Sequence, residues 1–176
     1  MRRALVVAHP DDETLWFGGL LIAKPGDWTV ICCSIPRTDP IRAYKFFAAC
    51  EVLGAKGRLL PYVESDPSRP LPHLDVLDLS EFDEIVTHGP AAEYGHLHHV
   101  SLHRWLVERY PGKVLTGRYG MEPGPKRIAL TPDQFERKMR ALRCYDHVSP
   151  TDGKPKWQAL VERYGKQFDL AVETYG

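Results

Sequence analysis

Short apolar runs alternate with helical patterns along this chain, and that alternation limits its fold more than any other feature. Ala4–Ala8, Trp28–Ile35, Arg58–Val63, Glu84–Thr87 and Lys113–Thr116 are apolar, partly β-branched and too short for helices, so they read as strands. Between them the spacing turns helical. Glu13–Lys24 places Leu15, Trp16, Gly19, Leu20 and Ala23 roughly on one face and stops at Pro25-Gly26. Asp39-Pro40 opens a helix through Leu53 that Gly54 closes. Further helices are expected over His98–Tyr110, Thr131–Tyr145 and Pro155–Tyr164. Alternation of this kind predicts an α/β fold: a Rossmann-like, three-layer α/β/α arrangement around a mostly parallel sheet. Ligands in such sheets bind beyond the carboxyl ends of the strands, where the strand order reverses.

The chain has 176 residues, which suits a single domain over residues 1–176. Lys+Arg and Asp+Glu number 23 each. A chain so balanced lacks the global field of a nucleic-acid or membrane-surface binder. No apolar stretch is long enough to span a bilayer, and no secretory leader is visible. The four cysteines form no C-x-x-C pair, and reduced thiols in a cytoplasmic protein are the plain expectation. Lys113–Arg143 is locally basic. The basic helix Arg137–Arg143 reads as a solvated face. Gly117–Pro125, rich in glycine and proline, reads as a mobile loop. Arg118 in it and Lys126 beside it are candidates to meet an anionic group such as a nucleotide diphosphate. Trp16, Trp105 and Trp157, on helical patterns, read as core rather than sugar platforms.

Two segments carry chemistry, and both follow expected strands. Ala8-His9-Pro10-Asp11-Asp12-Glu13 puts an imidazole and two carboxylates on one strand-to-helix turn. His9 and Asp12, three apart, can converge on one cation and leave Asp11 beside a bound water. Tyr94-Gly95-His96-Leu97-His98-His99 offers three imidazoles and a phenol, with His96 and His99 also three apart. Two histidines and one aspartate with an open position suit catalytic zinc, and such donors also accept iron, cobalt or manganese. Taken singly, Asp11-Asp12-Glu13 is explained as acidic residues at a helix N-terminus. His88, ending the fourth strand, is read either as pocket lining or as a hydrogen-bonded structural histidine.

The first segment resembles the AHPDDE signature of the LmbE/PIG-L family of N-acetylglucosaminyl deacetylases. Tyr94-x-His96-x-x-His99 resembles that family's second motif, Y-x-H-P-D-H. Arg42, Ala49, Leu53 and Gly54 fit its R-x-x-E-x-x-x-A-x-x-x-L-G helix, and Lys138-x-x-Ala141-Leu142-x-x-Tyr145 resembles its K-x-x-A-L-x-x-Y segment. The match runs over residues 1 to about 145. It implies an LmbE-like fold in which His9, Asp12 and His99 bind zinc. Asp11 would be the general base for the attacking water, His96 a general acid or oxyanion partner, and Tyr94 a carbonyl polariser. Arg42 would contact substrate, with His98, His88 and Arg118 as further substrate-side candidates. The chain departs from the family at Leu97-His98 (Pro-Asp), Lys45 (Glu) and Asp146-His147 (Ser-Gln). It is also short for the family, so its substrate-covering elements are expected to be either trimmed or supplied by a neighbouring subunit of a homo-oligomer.

The expected function is zinc-dependent hydrolysis of the amide of a small N-acylated, sugar-like substrate. An alternative is an amidase of the same scaffold acting on a nucleoside or antibiotic precursor. Another is a catalytically weakened metal- or carbohydrate-binding domain. A dinucleotide oxidoreductase is disfavoured, because no G-x-G-x-x-G follows the first strand.

Overall fold

The computed structural model describes residues 1–64, 66–119 and 124–176. Among the described residues there are seven strands, in chain order β1 (Arg3–Val7), β2 (Trp28–Cys32), β3 (Lys56–Leu59), β4 (Glu84–Thr87), β5 (Lys113–Thr116), β6 (Lys126–Ala129) and β7 (Val172–Tyr175). The first five form one sheet in the order β3-β2-β1-β4-β5, and every pairing in it is parallel. Six α-helices among the described residues accompany them: α1 (Asp12–Leu15), α2 (Gly18–Ala23), α3 (Arg42–Leu53), α4 (Leu97–Arg109), α5 (Pro132–Arg143) and α6 (Lys156–Tyr164).

The central strand shows why the sheet carries helices on both faces. Leu5 and Val7 enter a core with Trp16, Phe46, Leu53, Leu142 and Tyr145. Ala4, Val6 and Ala8 enter a second core with Leu71, Phe82, Leu102 and Leu106. Alternate residues of one strand are thus buried on opposite sides, as a parallel sheet requires. The layers are unequal. α1, α2, α3, α5 and α6 supply the first core, whereas α4 and the segment that includes the 3-10 turn Leu74–Val76 supply the second.

Several sequence expectations need correction. The helix expected over Glu13–Lys24 is two helices, broken at Trp16-Phe17. The third strand ends at Leu59, before Pro61; beyond it a single parallel bridge joins Ile35 to Val63. The antiparallel pair β6-β7 was not expected at all. The loop reading of Gly117–Pro125 falls partly on residues 120–123, outside the described residues.

Reversal of strand order occurs between β1 and β4. The polypeptide leaves β1 toward β2 and later returns to β4 on the other side, so a crevice opens where the two carboxyl ends diverge. His9 follows β1 and His88 follows β4. The two motif segments therefore meet at the switch point.

Candidate metal centre at the sheet switch point

Three donor atoms converge there from two strand ends. His9 Nδ1 lies 3.4 Å from Asp12 Oδ2, and His99 Nε2 lies 3.2 Å from the same oxygen. The two nitrogens are 3.3 Å apart. Ligands about 2.0–2.1 Å from a tetrahedral zinc sit at corners roughly 3.3–3.4 Å apart. The triangle thus has the size of one face of a zinc coordination tetrahedron. His96 lies beside it, with a ring nitrogen within 4.8 Å of those of His9 and His99.

Each histidine of the triangle is fixed through its other nitrogen, as metal-binding imidazoles usually are. His99 Nδ1 donates to Glu93 Oε2 at 2.7 Å. His9 Nε2 faces His98 Nδ1 at 3.0 Å and Glu64 Oε2 at 3.5 Å. His98 in turn sets its Nε2 3.4 Å from the Asp66 carbonyl. Asp12 is held by the His9 backbone N–H, which donates to Oδ2 at 2.8 Å.

Electrostatics follow from this crowding. Burial works against the Asp12 carboxylate, yet His99, His88 and His9 hold it well below its ordinary range. Burial also opposes charge on His99, but Asp12 and Glu93 raise it to about 10. Glu93, despite its own burial, is held at about 2 by His88 and His99. His96 behaves oppositely: burial, with His9 and His99 adding to it, lowers it to about 3. Its Nδ1 accepts the His98 backbone N–H at 3.2 Å, so the ring hydrogen sits on Nε2.

Asp11 stands next to the triangle in a left-handed conformation, φ 106°. Its carboxyl is raised by burial, an effect that the Arg42 guanidinium opposes. Arg42 Nη1 donates to Asp11 Oδ2 at 2.7 Å and to the Pro10 carbonyl at 3.3 Å. Arg42 Nε lies 3.2 Å from Asp39, and His147 Nε2 lies 2.9 Å from Asp39 on the far side.

These groups open into a pocket of about 230 Å³. Of the residues expected from sequence, His9, Asp11, Asp12, Arg42, Tyr94 and His96 line it, and His99 completes the triangle beneath. Three expected substrate-side residues do not face it. His88 is fully buried behind the triangle: its Nε2 accepts from the Ala8 backbone N–H and its Nδ1 donates to Glu93. That resolves its two readings in favour of the structural one. His98 is buried against His9. Arg118 lies with Tyr119, Arg127 and Phe168 in a separate depression, because its backbone N–H is tied to Thr174 at the β7 edge. Trp16 is wholly buried in the core, as expected, while its edge also bounds the pocket.

The opposite wall was missed in sequence. Lys156, Leu160, Arg163 and Tyr164 line it, spaced as one stripe of α6 (i, i+4, i+7, i+8). That spacing was readable, but nothing in it said which cavity the stripe would face. A larger, mostly apolar pocket between Leu77, Phe82, Trp105 and Tyr110 sits near the starts of β4 and β5, the end of the sheet away from this chemistry.

No family model matches the chain. It is 24% identical over 198 aligned positions to a 1D-myo-inositol 2-acetamido-2-deoxy-alpha-D-glucopyranoside deacetylase of Corynebacterium diphtheriae, covering 83% of this chain and 67% of that one. It spans 63% of a second such relative, from Corynebacterium glutamicum, so the chain covers about two thirds of its curated relatives' length. Among solved structures, the N,N'-diacetylchitobiose deacetylase of Pyrococcus horikoshii superposes with a TM-score of 0.65 at 17% identity, over 99% of this chain and 83% of that one. A 4-carboxy-2-hydroxymuconate hydratase of Pseudomonas putida superposes with a TM-score of 0.57 at 17% identity, over 99% and 95%. Fold and site thus define an LmbE-like α/β protein with residues able to hold a metal at its switch point. The chain is similar in sequence to a named deacetylase at 24% identity and in fold to another. Since a hydratase shares the fold, the reaction has to be argued from the site.

Proposed function

We propose that this chain is a metal-dependent N-deacetylase that hydrolyses the amide of a small N-acylated amino sugar or sugar conjugate. The observation that carries the reading is the triangle of His9 Nδ1, Asp12 Oδ2 and His99 Nε2, with sides of 3.2–3.4 Å, beside a carboxylate that does not belong to it. His9, Asp12 and His99 would hold the ion, with zinc the best match to their spacing. A divalent metal there supplies Lewis acidity, bringing the pKa of water down to about 7.

The chain's own groups do the rest. Arg42 engages Asp11 through Oδ2, which leaves Oδ1 to take the proton of the attacking water. The His96 ring hydrogen on Nε2 and the Tyr94 hydroxyl at the pocket mouth are the donors for the substrate carbonyl oxygen as it gains charge. His96, lowered to about 3, is neutral near pH 7, and it serves as an oxyanion partner rather than a charged acid. The proton then returns from Asp11 to the departing amine, which is otherwise too basic to leave.

Acetate release from a panel of N-acetylated amino sugars tests the reading, with and without a chelator. Release that a chelator abolishes and added zinc restores supports it. Chelator-insensitive release, or none from metal-loaded protein on any N-acyl substrate, overturns it. Reconstitution with zinc, cobalt, manganese and iron separates the metals. No helix among the described residues is long and apolar enough to cross a membrane.

A further inference from the structure

Lys156 is the one cation of the pocket lining that has no anionic partner among the described residues. Arg42 is paired with Asp11 and Asp39, and Arg163 with Asp152 at 3.1 Å. Lys156 is only 9% exposed, lines the pocket, and its ammonium has no hydrogen bond or ion pair within the described residues. Its charge acts on Asp11 and Asp152 without pairing with either, which leaves the ammonium free for an anion that enters the pocket.

Its position is fixed by backbone, not by its own side chain. At the start of α6 the Lys156 N–H donates to the His147 carbonyl at 2.8 Å, and the Trp157 N–H donates to the Tyr145 carbonyl at 3.0 Å. The helix is thereby bolted to the segment that carries His147, which itself braces Asp39 and Arg42. Two turns along the same stripe, Arg163 reaches the pocket rim. The α6 wall thus presents an unpaired ammonium inside and a guanidinium outside, across the cavity from the acidic Glu64. Lys156 lowers the Asp11 carboxyl through space but makes no hydrogen bond or ion pair with it among the described residues.

We propose that Lys156, with Arg163 behind it, binds an anionic substituent of the substrate, a phosphate or a carboxylate on the sugar or its conjugate. This rests on the deacetylase reading for the identity of the substrate, but the anion site itself does not. Phosphate and carboxylate share the chemistry of a compact oxyanion able to accept charge-assisted hydrogen bonds. The anion expected from sequence at Arg118 and Lys126 is thus relocated to α6, since Arg118 lies in another depression and Lys126 on β6.

Binding to metal-free protein, measured by titration calorimetry at pH 8, separates the anion site from catalysis. Glucosamine 6-phosphate and muramic acid should bind at least tenfold more tightly than glucosamine. Lys156→Met should erase that preference, a loss of roughly tenfold to a hundredfold for one charge-assisted contact, and Lys156→Arg should keep most of it. Lys156→Met should also melt close to the parent, because it breaks no hydrogen bond or ion pair of the chain. In the metal-loaded protein, the ratio of kcat/KM for N-acetylglucosamine 6-phosphate to that for N-acetylglucosamine should fall in Lys156→Met, and N-acetylmuramic acid tests the carboxylate arm. If the anions bind through Lys156 but no N-acyl substrate is cleaved, the deacetylase reading fails and the anion site stands. Cleavage indifferent to substrate charge, with equal binding of glucosamine and its phosphate, overturns the anion site alone.

Discussion

Asp11 holds a backbone conformation, φ 106° and ψ −26°, that residues bearing a side chain rarely adopt. Strain of this kind costs about 1–3 kcal/mol and gathers at functional sites. It turns the Asp11 carboxylate toward Arg42 while Asp12, the next residue, faces the histidines. Asn tolerates the same region and matches Asp in shape, so Asp11→Asn should fold and melt like the parent. Its acetate release should fall roughly 10²–10⁴-fold, the share commonly carried by a general base; turnover near the parental rate would remove Asp11 from that role. Glu64 makes a second prediction. The family's second motif has an aspartate where this chain has His98, and here a carboxylate reaches the same region from the loop after β3, 3.5 Å from His9 Nε2. Glu64→Gln should weaken metal binding roughly tenfold to a hundredfold, as loss of an outer-shell partner does. Competition against a chromophoric chelator measures it, and unchanged affinity would make Glu64 a bystander. The convergence of His9, Asp12 and His99 was legible, because two of them share one turn and the third stands in a histidine-rich segment after another strand. Glu64, Glu93 and Lys156 were not, since a carboxylate or ammonium arriving from another loop leaves no spacing in the chain.

Among the elements, β4 and β5 have the bounds their apolar runs predicted, and Gly54 ends α3 in the left-handed conformation its sequence suggested. The Thr131–Gln134 capping box starts α5 as its Thr-Pro-Asp opening implied. What the apolar runs did not reveal was which charged side chains would be buried. β7 alternates Val172, Glu173, Thr174, Tyr175, and the buried pair is Glu173 and Tyr175, so a hydrophobic pattern selects the wrong side. Lys138 is likewise buried, although the basic helix Arg137–Arg143 reads as a solvated face. The burial of Lys138 and of Glu173 has one cause. Lys138 Nζ donates to Glu173 Oε1 at 2.6 Å and to the Leu170 carbonyl at 2.9 Å, while Glu173 also accepts from the Gly19 and Leu20 N–H groups at 2.7 Å. A side chain at Gly19 would meet Glu173 at 2.7 Å, so glycine is required there. This buried pair joins α2, α5 and β7. The departures from the family pattern also match one another across elements: Lys45 bonds Asp146 at 2.6 Å, and His147 bonds Asp39. Lys138→Met leaves the Glu173 charge buried without its counter-ion and should cost about 3–5 kcal/mol in denaturant unfolding. A loss of a few tenths would show that the two backbone donors suffice for Glu173.

For the molecule as a whole, a formal net charge of zero at pH 7 means that global repulsion contributes little near neutrality. The dependence of stability on pH then falls to a few buried groups. Burial pushes the Glu13 carboxyl up to about 7 from 4.5, against the hydrogen bonds it accepts from Thr14 and Tyr145. The folded chain therefore holds this proton more tightly than the unfolded one. Its contribution is complete below about pH 4.5 and is lost as pH rises through about 7. Glu93 acts in the opposite sense: held at about 2, it stabilises above 4.5 and that contribution is lost as pH falls toward 2. His99, raised from 6.5 to about 10, stabilises the metal-free chain below 6.5 and loses that contribution as pH rises through 10. His96, held at about 3, works against Glu13, because the unfolded chain gains stability from protonating it as pH falls below 6.5. The metal-free protein therefore declines from about pH 6.5 toward pH 8, while Glu13 by itself contributes a loss on the order of 3 kcal/mol between about pH 4.5 and 7. Urea unfolding of metal-free protein at pH 5, 6, 7 and 8 measures the slope, and Glu13→Gln, which cannot ionise, should gain stability relative to the parent as pH rises, most of it between pH 5 and 7. Equal slopes in parent and variant would mean that the hydrogen bonds from Thr14, Tyr145 and the Asp11 backbone outweigh burial and keep Glu13 ionised across the range.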